Sequence, residues 1–178
     1  MIRLFVAVAI PVEIGQGLAR RQQGLPGARW RPIHSLHLTL RFVGDMPENQ
    51  ADDLDAELAA LGGAAFEIVL SGVGRFGDDE GIRAVWAGVE ESEALRRLAL
   101  RCETAARRAG LKSAARAWRP HVTLAYLRHP DLARVAAWTS ANNLLKSPPF
   151  TVNAFGLYSS RRTAEGSVYR LERAYPLV

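Results

Sequence analysis

The stretch Leu-His-Leu-Thr-Leu-Arg-Phe-Val at residues 36–43 decides the fold prediction, because apolar and other residues alternate along it with a period of two. That period is typical of a β-strand with one buried face. On such a strand Leu38 and Leu40 point into the core, and His37 and Thr39 project together from the opposite face. The stretch therefore predicts a core-anchored strand that presents an imidazole beside a hydroxyl.

The same motif returns as His-Val-Thr-Leu at residues 121–124. Each copy follows a Trp-Arg-Pro tripeptide, which stands at 30–32 before the first copy and at 118–120 directly before the second. A repeated unit of this kind predicts two related lobes. If the lobes face each other about a pseudo-twofold axis, the two histidine–threonine pairs meet across one cleft.

Apolar periodicity along the rest of the chain predicts a mixture of strands and helices. Strands are predicted at 2–9, 36–43, 65–73, 82–89, 121–127, 150–158 and 167–174. Helices are predicted at 12–23, at 47–61, from a Ser92 cap to Gly110, and from an Asp131 cap past Trp138. Several of the connections resemble hairpins, which favours an α+β fold with mainly antiparallel sheets over a doubly wound parallel sheet. We expect one domain of two lobes over residues 1–178.

Composition places the chain among globular proteins with anionic partners. It has 178 residues, of which 48% are hydrophobic and 23% charged, and its formal net charge is +5. That charge favours nucleic acids, nucleotides or phosphates without identifying one. The single cysteine, Cys102, excludes an internal disulfide and is expected to be a buried small hydrophobe. The apolar run that ends at Pro11 is too short for a membrane span, so we expect a cytoplasmic protein with no membrane partner.

Two imidazoles and two hydroxyls on one face suit the opening of a cyclic phosphodiester. In-line attack by water needs a base on one side of phosphorus and an acid on the other, and histidine serves both roles near neutral pH. Hydroxyls can donate to the non-bridging oxygens. Zinc binding and a serine or cysteine triad fit less well, because neither motif contains a carboxylate and no nucleophile elbow is present.

One such motif alone is more often an ordinary strand face than a site, but two copies with the same neighbours favour a shared site. The remaining histidines, His34 and His129, stand beside the loop residues Pro32 and Pro130. We expect surface or capping roles for both.

The chain resembles the two-histidine (2H) phosphoesterases, specifically the RNA 2′,3′-cyclic phosphodiesterases that are also called 2′-5′ RNA ligases. The segments at 36–44 and 119–125 resemble the two signatures of that family, and the opening at 3–7 resembles its first strand. Its carboxyl end is matched by 157–161 together with Gly166, Tyr169, Pro176 and Leu177.

The resemblance implies a bilobed α+β fold with a central cleft and hydrolysis of 2′,3′-cyclic phosphate ends to 2′-phosphomonoesters without a metal or cofactor. By the same resemblance His37 is the proton donor and His121 the proton acceptor, although the sequence alone leaves these two roles interchangeable. Thr39 and Thr123 are implied to hold the phosphate.

One position departs from the family pattern. Members often carry an arginine two residues after the second motif, where this chain has Tyr126. Arg41 has the strand parity of His37, and Arg128 is the arginine nearest to the position of Tyr126, so we expect both arginines to contact the substrate. Solvated strand ends are an equally good interpretation of both residues.

Three functions remain open from the sequence. The first is the cyclic phosphodiesterase, acting on RNA with 2′,3′-cyclic phosphate ends or on cyclic nucleotides. The second is a 2′-5′ RNA ligase that joins tRNA half-molecules, and the third is an RNA-binding module without turnover. We expect a monomer in each case.

Overall fold

The computed structural model describes residues 1–78 and 81–178. The strands are β1 (Ile2–Ala9), β2 (Arg29–Trp30), β3 (His37–Met46), β4 (Phe66–Ile68), β5 (Leu70–Phe76), β6 (Ala84–Val89), β7 (His121–Tyr126), β8 (Phe150–Val152), β9 (Ala154–Thr163) and β10 (Gly166–Pro176). The helices are α1 (Val12–Ala19), α2 (Glu48–Ala59), α3 (Glu93–Arg108) and α4 (Leu132–Asn142). None of the helices in these two ranges has both the length and the apolar character needed to cross a bilayer.

Eight strands form one sheet in the order β10-β9-β1-β3-β7-β6-β5, with the short β2 paired to β7. Strands β4 and β8 form a separate two-stranded sheet. All of these pairings are antiparallel. The predicted α+β fold with mainly antiparallel sheets is confirmed.

The strand order is symmetric about the contact between β3 and β7. These two motif strands lie side by side and share one paired position, Leu38 opposite Val122. Outward from that contact β1 and β6 are equivalent, followed by β9 and β5. The helices follow the same symmetry, because α1 and α3 come after the inner flanking strands and α2 and α4 come after the motif strands. The repeated sequence motif thus corresponds to two halves that meet at their motif strands.

Two predicted strands are each divided in the structure. The predicted strand at 65–73 is interrupted after Ile68, and the one at 150–158 is interrupted at Asn153. In both cases the first part belongs to the two-stranded sheet and the second part to the large sheet. A chain that changes sheets must leave one ladder of hydrogen bonds before it enters the next, and periodicity alone does not mark that point. Helix α1 also ends four residues earlier than the predicted 12–23.

The core lies on the face of the sheet opposite the histidines. Leu38, Leu40, Val122 and Leu124 are at most 2% exposed. Helix α3 adds a buried row to this core that includes Cys102. Burial raises the pKa of the Cys102 thiol to about 12, so this side chain is the protonated small hydrophobe that its sequence context predicts.

Both predicted side-chain caps are present. The Ser92 hydroxyl accepts a hydrogen bond from the Leu95 amide at 3.2 Å at the start of α3. The Asp131 carboxylate accepts from the Ala133 and Arg134 amides at 2.9 and 3.2 Å at the start of α4. These caps satisfy amides that have no partner within the helix.

Candidate active site

The two motifs meet on one face of the large sheet. Because Leu38 lies opposite Val122 in an antiparallel pair, the register one residue to either side sets His37 beside Thr123 and Thr39 beside His121. Each imidazole therefore neighbours the hydroxyl of the opposite motif. The four groups predicted from sequence form a compact array on two adjacent strands.

Both histidines are oriented by a backbone carbonyl two residues earlier. The Nδ1 atom of His37 lies 2.8 Å from the Ser35 oxygen, and that of His121 lies 2.7 Å from the Arg119 oxygen. A carbonyl oxygen only accepts, so each of these contacts requires a hydrogen on Nδ1. In the neutral imidazole Nε2 then carries the lone pair, and it is the atom left for proton transfer.

Aromatic rings line both imidazoles. The His37 ring lies 4.9 Å from the Phe5 ring and 5.0 Å from the Tyr169 ring, between centroids. The His121 ring lies 4.6 Å from the Phe76 ring and 6.1 Å from the Trp86 ring. These apolar walls fix the imidazoles and reduce their contact with water.

The surroundings of both histidines favour the uncharged form. Burial lowers the pKa of His37 below its ordinary value of 6.5; the Ser35 carbonyl opposes the shift, and the charges of Arg31 and His121 add to it. Burial also lowers the pKa of His121, again against a carbonyl contact, and the Arg119 guanidinium adds to the shift. Without substrate, both imidazoles are therefore mainly neutral at pH 7.

A β-bulge directly follows the first motif. Residues 6 and 7 of β1 pair with Arg41 and Thr39, so Leu40 is an additional residue in β3. Paired residues share a face of the sheet, and Val6 is fully buried in the core. Arg41 therefore points to the core face, away from His37.

The structure thus differs from the parity prediction for Arg41. Its guanidinium pairs with the Glu103 carboxylate of α3, and it donates to the carbonyl oxygens of Phe42 and, at 2.6 Å, Lys112. A substrate contact from Arg41 stays a prediction, and it would require the guanidinium to leave Glu103.

An equivalent bulge follows the second motif. Residues 85 and 86 of β6 pair with Ala125 and Thr123, so Leu124 is the additional residue in β7. The shift places Tyr126 on the face of the site, with 45% of the residue exposed. Arg128 lies beyond the end of β7 at Tyr126, so strand alternation does not place its side chain, and a substrate contact from it stays a prediction. Arg128 is exposed, and no hydrogen bond or ion pair joins its side chain to another described residue.

Two arginines that sequence reasoning missed lie beside the histidines. Arg31 stands 5.3 Å from the ring of Tyr169, the ring that contacts His37. Arg119 stands 5.9 Å from the ring of Phe76, which contacts His121. Both are the middle residues of the Trp-Arg-Pro tripeptides, so the repeat itself was the signal that could have found them.

Each tripeptide is bound to the motif strand of the other half. The Arg31 amide donates to the Leu124 oxygen at 2.8 Å, and Trp30 pairs with Ala125. In the opposite direction, the indole nitrogen of Trp118 donates to the Thr39 oxygen at 3.0 Å. These crossed contacts hold the two motif strands together where their own pairing is short.

The other two histidines lie outside this array. His34 belongs to a 3₁₀ turn before β3, and His129 follows β7 with a positive φ of 47°. Both are exposed, in agreement with the surface positions predicted for them.

Comparison with known proteins identifies the family of the chain. Residues 11–164, which include both motifs, match the 2′-5′ RNA ligase superfamily. The chain is 34% identical to the RNA 2′,3′-cyclic phosphodiesterase of Thermus thermophilus, over 98% of this chain and 90% of that protein. It is also 32% identical to the enzyme of the same name from Geobacillus stearothermophilus, over 68% of this chain but only 40% of that longer protein.

Comparison of folds supports the same family. The crystal structure of Escherichia coli LigT complexed with 3′-AMP superposes with a TM-score of 0.80 at 25% identity, covering 99% of this chain and 98% of LigT. The resemblance inferred from the two signatures is confirmed, and the chain belongs to the 2′-5′ RNA ligase superfamily.

Proposed function

We propose that the chain opens 2′,3′-cyclic phosphates at the ends of RNA or on nucleotides, and releases 2′-phosphomonoesters without a metal. It is a phosphodiesterase of its superfamily, whose relatives carry that name. The observation that carries the proposal is the pair of imidazoles on adjacent strands, each with Nδ1 engaged by a carbonyl and Nε2 left for proton transfer.

The reaction needs one proton removed and one supplied. His121 takes a proton from water as the water oxygen attacks phosphorus, and the bond from phosphorus to O3′ breaks as His37 gives its proton to O3′. The product is a 2′-phosphomonoester. His121 ends protonated and His37 neutral, so a proton must pass between them, directly or through water, before the next turnover.

The surroundings of the histidines support this assignment of roles. His121 has the more open position, which suits the base that must reach water, and the carbonyl contact of His37 is the more buried of the two. His37 has lost more of its hydration and stands beside Arg31, both of which lower its pKa and make its protonated form a stronger acid. A bound anionic phosphate raises the pKa of both imidazoles and so supplies the protonated His37 that the step requires.

Thr39 and Thr123 complete the site as donors to the non-bridging oxygens. Each hydroxyl lies opposite the histidine of the other strand, so a phosphate between the histidines reaches both. Negative charge grows on these oxygens during attack, and fixed donors there stabilise the transition state.

The test is turnover of 2′,3′-cyclic CMP in the presence of EDTA, with the product identified as 2′-CMP or 3′-CMP by chromatography. We expect 2′-CMP as the only product, at a rate that EDTA leaves unchanged. A 3′-CMP product, or activity that EDTA abolishes and a divalent cation restores, would contradict the proposal.

Ligation to an RNA 5′-hydroxyl uses the same groups with that hydroxyl in place of water, and the superfamily description includes this activity. The same assay with added 5′-hydroxyl RNA measures how cyclic ends divide between water and the hydroxyl. Binding without any turnover would instead favour the RNA-binding module.

A further inference from the structure

A pocket lined by arginines opens near the histidine site, between β2, β7 and the β9–β10 hairpin. It has a volume of about 270 Å³ and three arginines in its wall. Its lining comprises Arg29, Arg31, Tyr126, Arg162, Thr163, Ala164, Gly166 and Ser167. No residue in this lining is acidic, so the pocket is suited to an anion.

Backbone carbonyls hold two of the arginines in place without neutralising them. Arg29 donates to the Glu165 oxygen at 3.2 Å, and Arg31 donates to the Ser167 oxygen at 3.2 Å. Within residues 1–78 and 81–178, no carboxylate forms an ion pair with Arg29, Arg31 or Arg162. Their charge is therefore available to a ligand.

Arg31 connects the pocket to the histidine site through ring contacts. The Arg31 guanidinium stands 5.7 Å from the Tyr126 ring and 5.3 Å from the Tyr169 ring. Tyr169 in turn meets His37 edge to face at 5.0 Å. The arginines thus lie on the His37 side of the array.

That side is where the ribose of the substrate must lie. If His37 protonates O3′, the terminal ribose sits against His37, and its O5′ leads away from the phosphate under attack. The next phosphate of an RNA chain is attached to that O5′. Guanidinium groups bind phosphate through paired hydrogen bonds, and an exposed ring such as Tyr126 can stack against a neighbouring base.

We propose that the pocket of Arg29, Arg31 and Arg162 binds the phosphate on O5′ of the terminal nucleotide, so that the enzyme acts preferentially on RNA chains over cyclic mononucleosides. This inference rests on the proposed function, because it takes the ribose position from the role of His37.

Three substrates that share one cyclic end test the proposal. Cytidine 2′,3′-cyclic phosphate has no phosphate on O5′, its 5′-phosphorylated form carries a monoester there, and the cyclic-ended dinucleotide CpC carries the phosphodiester of an RNA chain. We expect kcat/KM to be about tenfold or more higher for the last two than for the first, as one charge-assisted contact provides. That advantage is expected to fall with rising salt.

Variants then assign the advantage to the pocket. Arg162→Ala and Arg29→Ala are expected to reduce the advantage severalfold and to leave turnover of the unphosphorylated substrate within twofold. Arg162→Lys, which keeps the positive charge, is expected to retain part of the advantage in kcat/KM. Arg97→Ala removes another exposed arginine, on α3, and is the matched control, with turnover of all three substrates unaffected.

The outcomes separate the two proposals. No turnover of any of the three substrates by the unaltered chain would overturn the proposed function. Three other outcomes would overturn the pocket proposal and leave the cyclic phosphodiesterase in place. They are normal turnover with no advantage for a phosphate on O5′, an advantage confined to the dinucleotide, and equal losses of turnover in Arg162→Ala for all three substrates.

Discussion

The half of the site on β3 and the half on β7 are built to one plan. In each, a strand carries a histidine and a threonine toward the cleft, a carbonyl two residues earlier holds Nδ1, and aromatic rings pack on the imidazole. In each, a bulge follows the motif, and the arginine of a Trp-Arg-Pro tripeptide stands near the histidine.

The halves differ in what surrounds this common plan. The side of His37 adjoins Tyr169, Tyr126 and the arginine pocket, whereas the side of His121 is more open and has Phe76 and Trp86 as its walls. In the proposed function the two motifs therefore have different roles: the motif strands position the groups that transfer protons, and the surroundings of His37 bind the substrate.

The largest expected effect comes from removing either imidazole. His37→Ala and His121→Ala should each reduce kcat for 2′,3′-cyclic CMP by about 10² to 10⁴, the usual contribution of acid–base catalysis. The double variant should lose little more than either single variant, because the two groups act in one step. His34→Ala, which removes an exposed histidine near the first motif, is the control. A loss confined to one histidine would contradict the paired mechanism.

The threonines should show a smaller and equal effect in both halves. Thr39→Val and Thr123→Val each remove one donor to a charged phosphate, which lowers kcat/KM by roughly 10- to 100-fold. The serine variants keep the hydroxyl and should keep most of the activity. The pH profile should not move, since no titrating group changes. If valine were tolerated at one position, the phosphate would be held from one half only.

Loss of the ion pair between Arg41 and Glu103 is expected to lower stability and not activity. In Arg41→Gln the Glu103 carboxylate keeps its hydrogen bond from the Ala114 amide but loses its ion-pair partner in a largely buried position, so the free energy of unfolding in urea should fall by about 2 kcal/mol. The double variant Arg41→Gln with Glu103→Gln should recover part of this loss. A fall in kcat/KM for 2′,3′-cyclic CMP as large as that in Thr39→Val would show instead that Arg41 reaches the phosphate.

The same residues show how far sequence reasoning reaches. Period-two alternation was enough to place His37 and Thr39 on one face, because the apolar residues of a half-buried strand must face the core and the residues between them then face the opposite way. The same alternation did not hold one residue past the first motif, at Arg41, because the bulge there arises from the pairing of β3 with β1, which the motif itself does not encode.

Contacts distant in sequence account for the rest of what was missed. The arginine pocket joins β2 to the β9–β10 hairpin, and Arg29 is separated there from Glu165 by 136 residues. No local pattern links two such segments. The repeated Trp-Arg-Pro was visible in the sequence, but its arginines gained a role only once the strands showed which ring each one approaches.

The pH dependence gives the first test of the asymmetry. Both pKa values are lowered from 6.5, so kcat/KM, which reports the substrate-free enzyme, should be bell-shaped with its maximum below pH 6.5. The profile of kcat should lie at higher pH, because bound phosphate favours the protonated imidazoles. The profile of His37→Ala should lack the alkaline limb, which reports deprotonation of the acid. The profile of His121→Ala should lack the acidic limb, which reports protonation of the base.

The smallest predicted effect is the most discriminating. Arg31 lowers the pKa of His37 and Arg119 lowers that of His121, so removing either charge raises the corresponding pKa. In Arg31→Gln the alkaline limb of kcat/KM should therefore move to higher pH, because His37 keeps its proton to a higher pH. In Arg119→Gln the acidic limb should move to higher pH instead. The substrate for both is 2′,3′-cyclic CMP, which lacks a phosphate on O5′ and so leaves the arginine pocket out of the comparison. If Arg31→Gln moves the acidic limb and Arg119→Gln the alkaline limb, the base lies on β3 and the acid on β7, and the two halves of the site have the opposite roles.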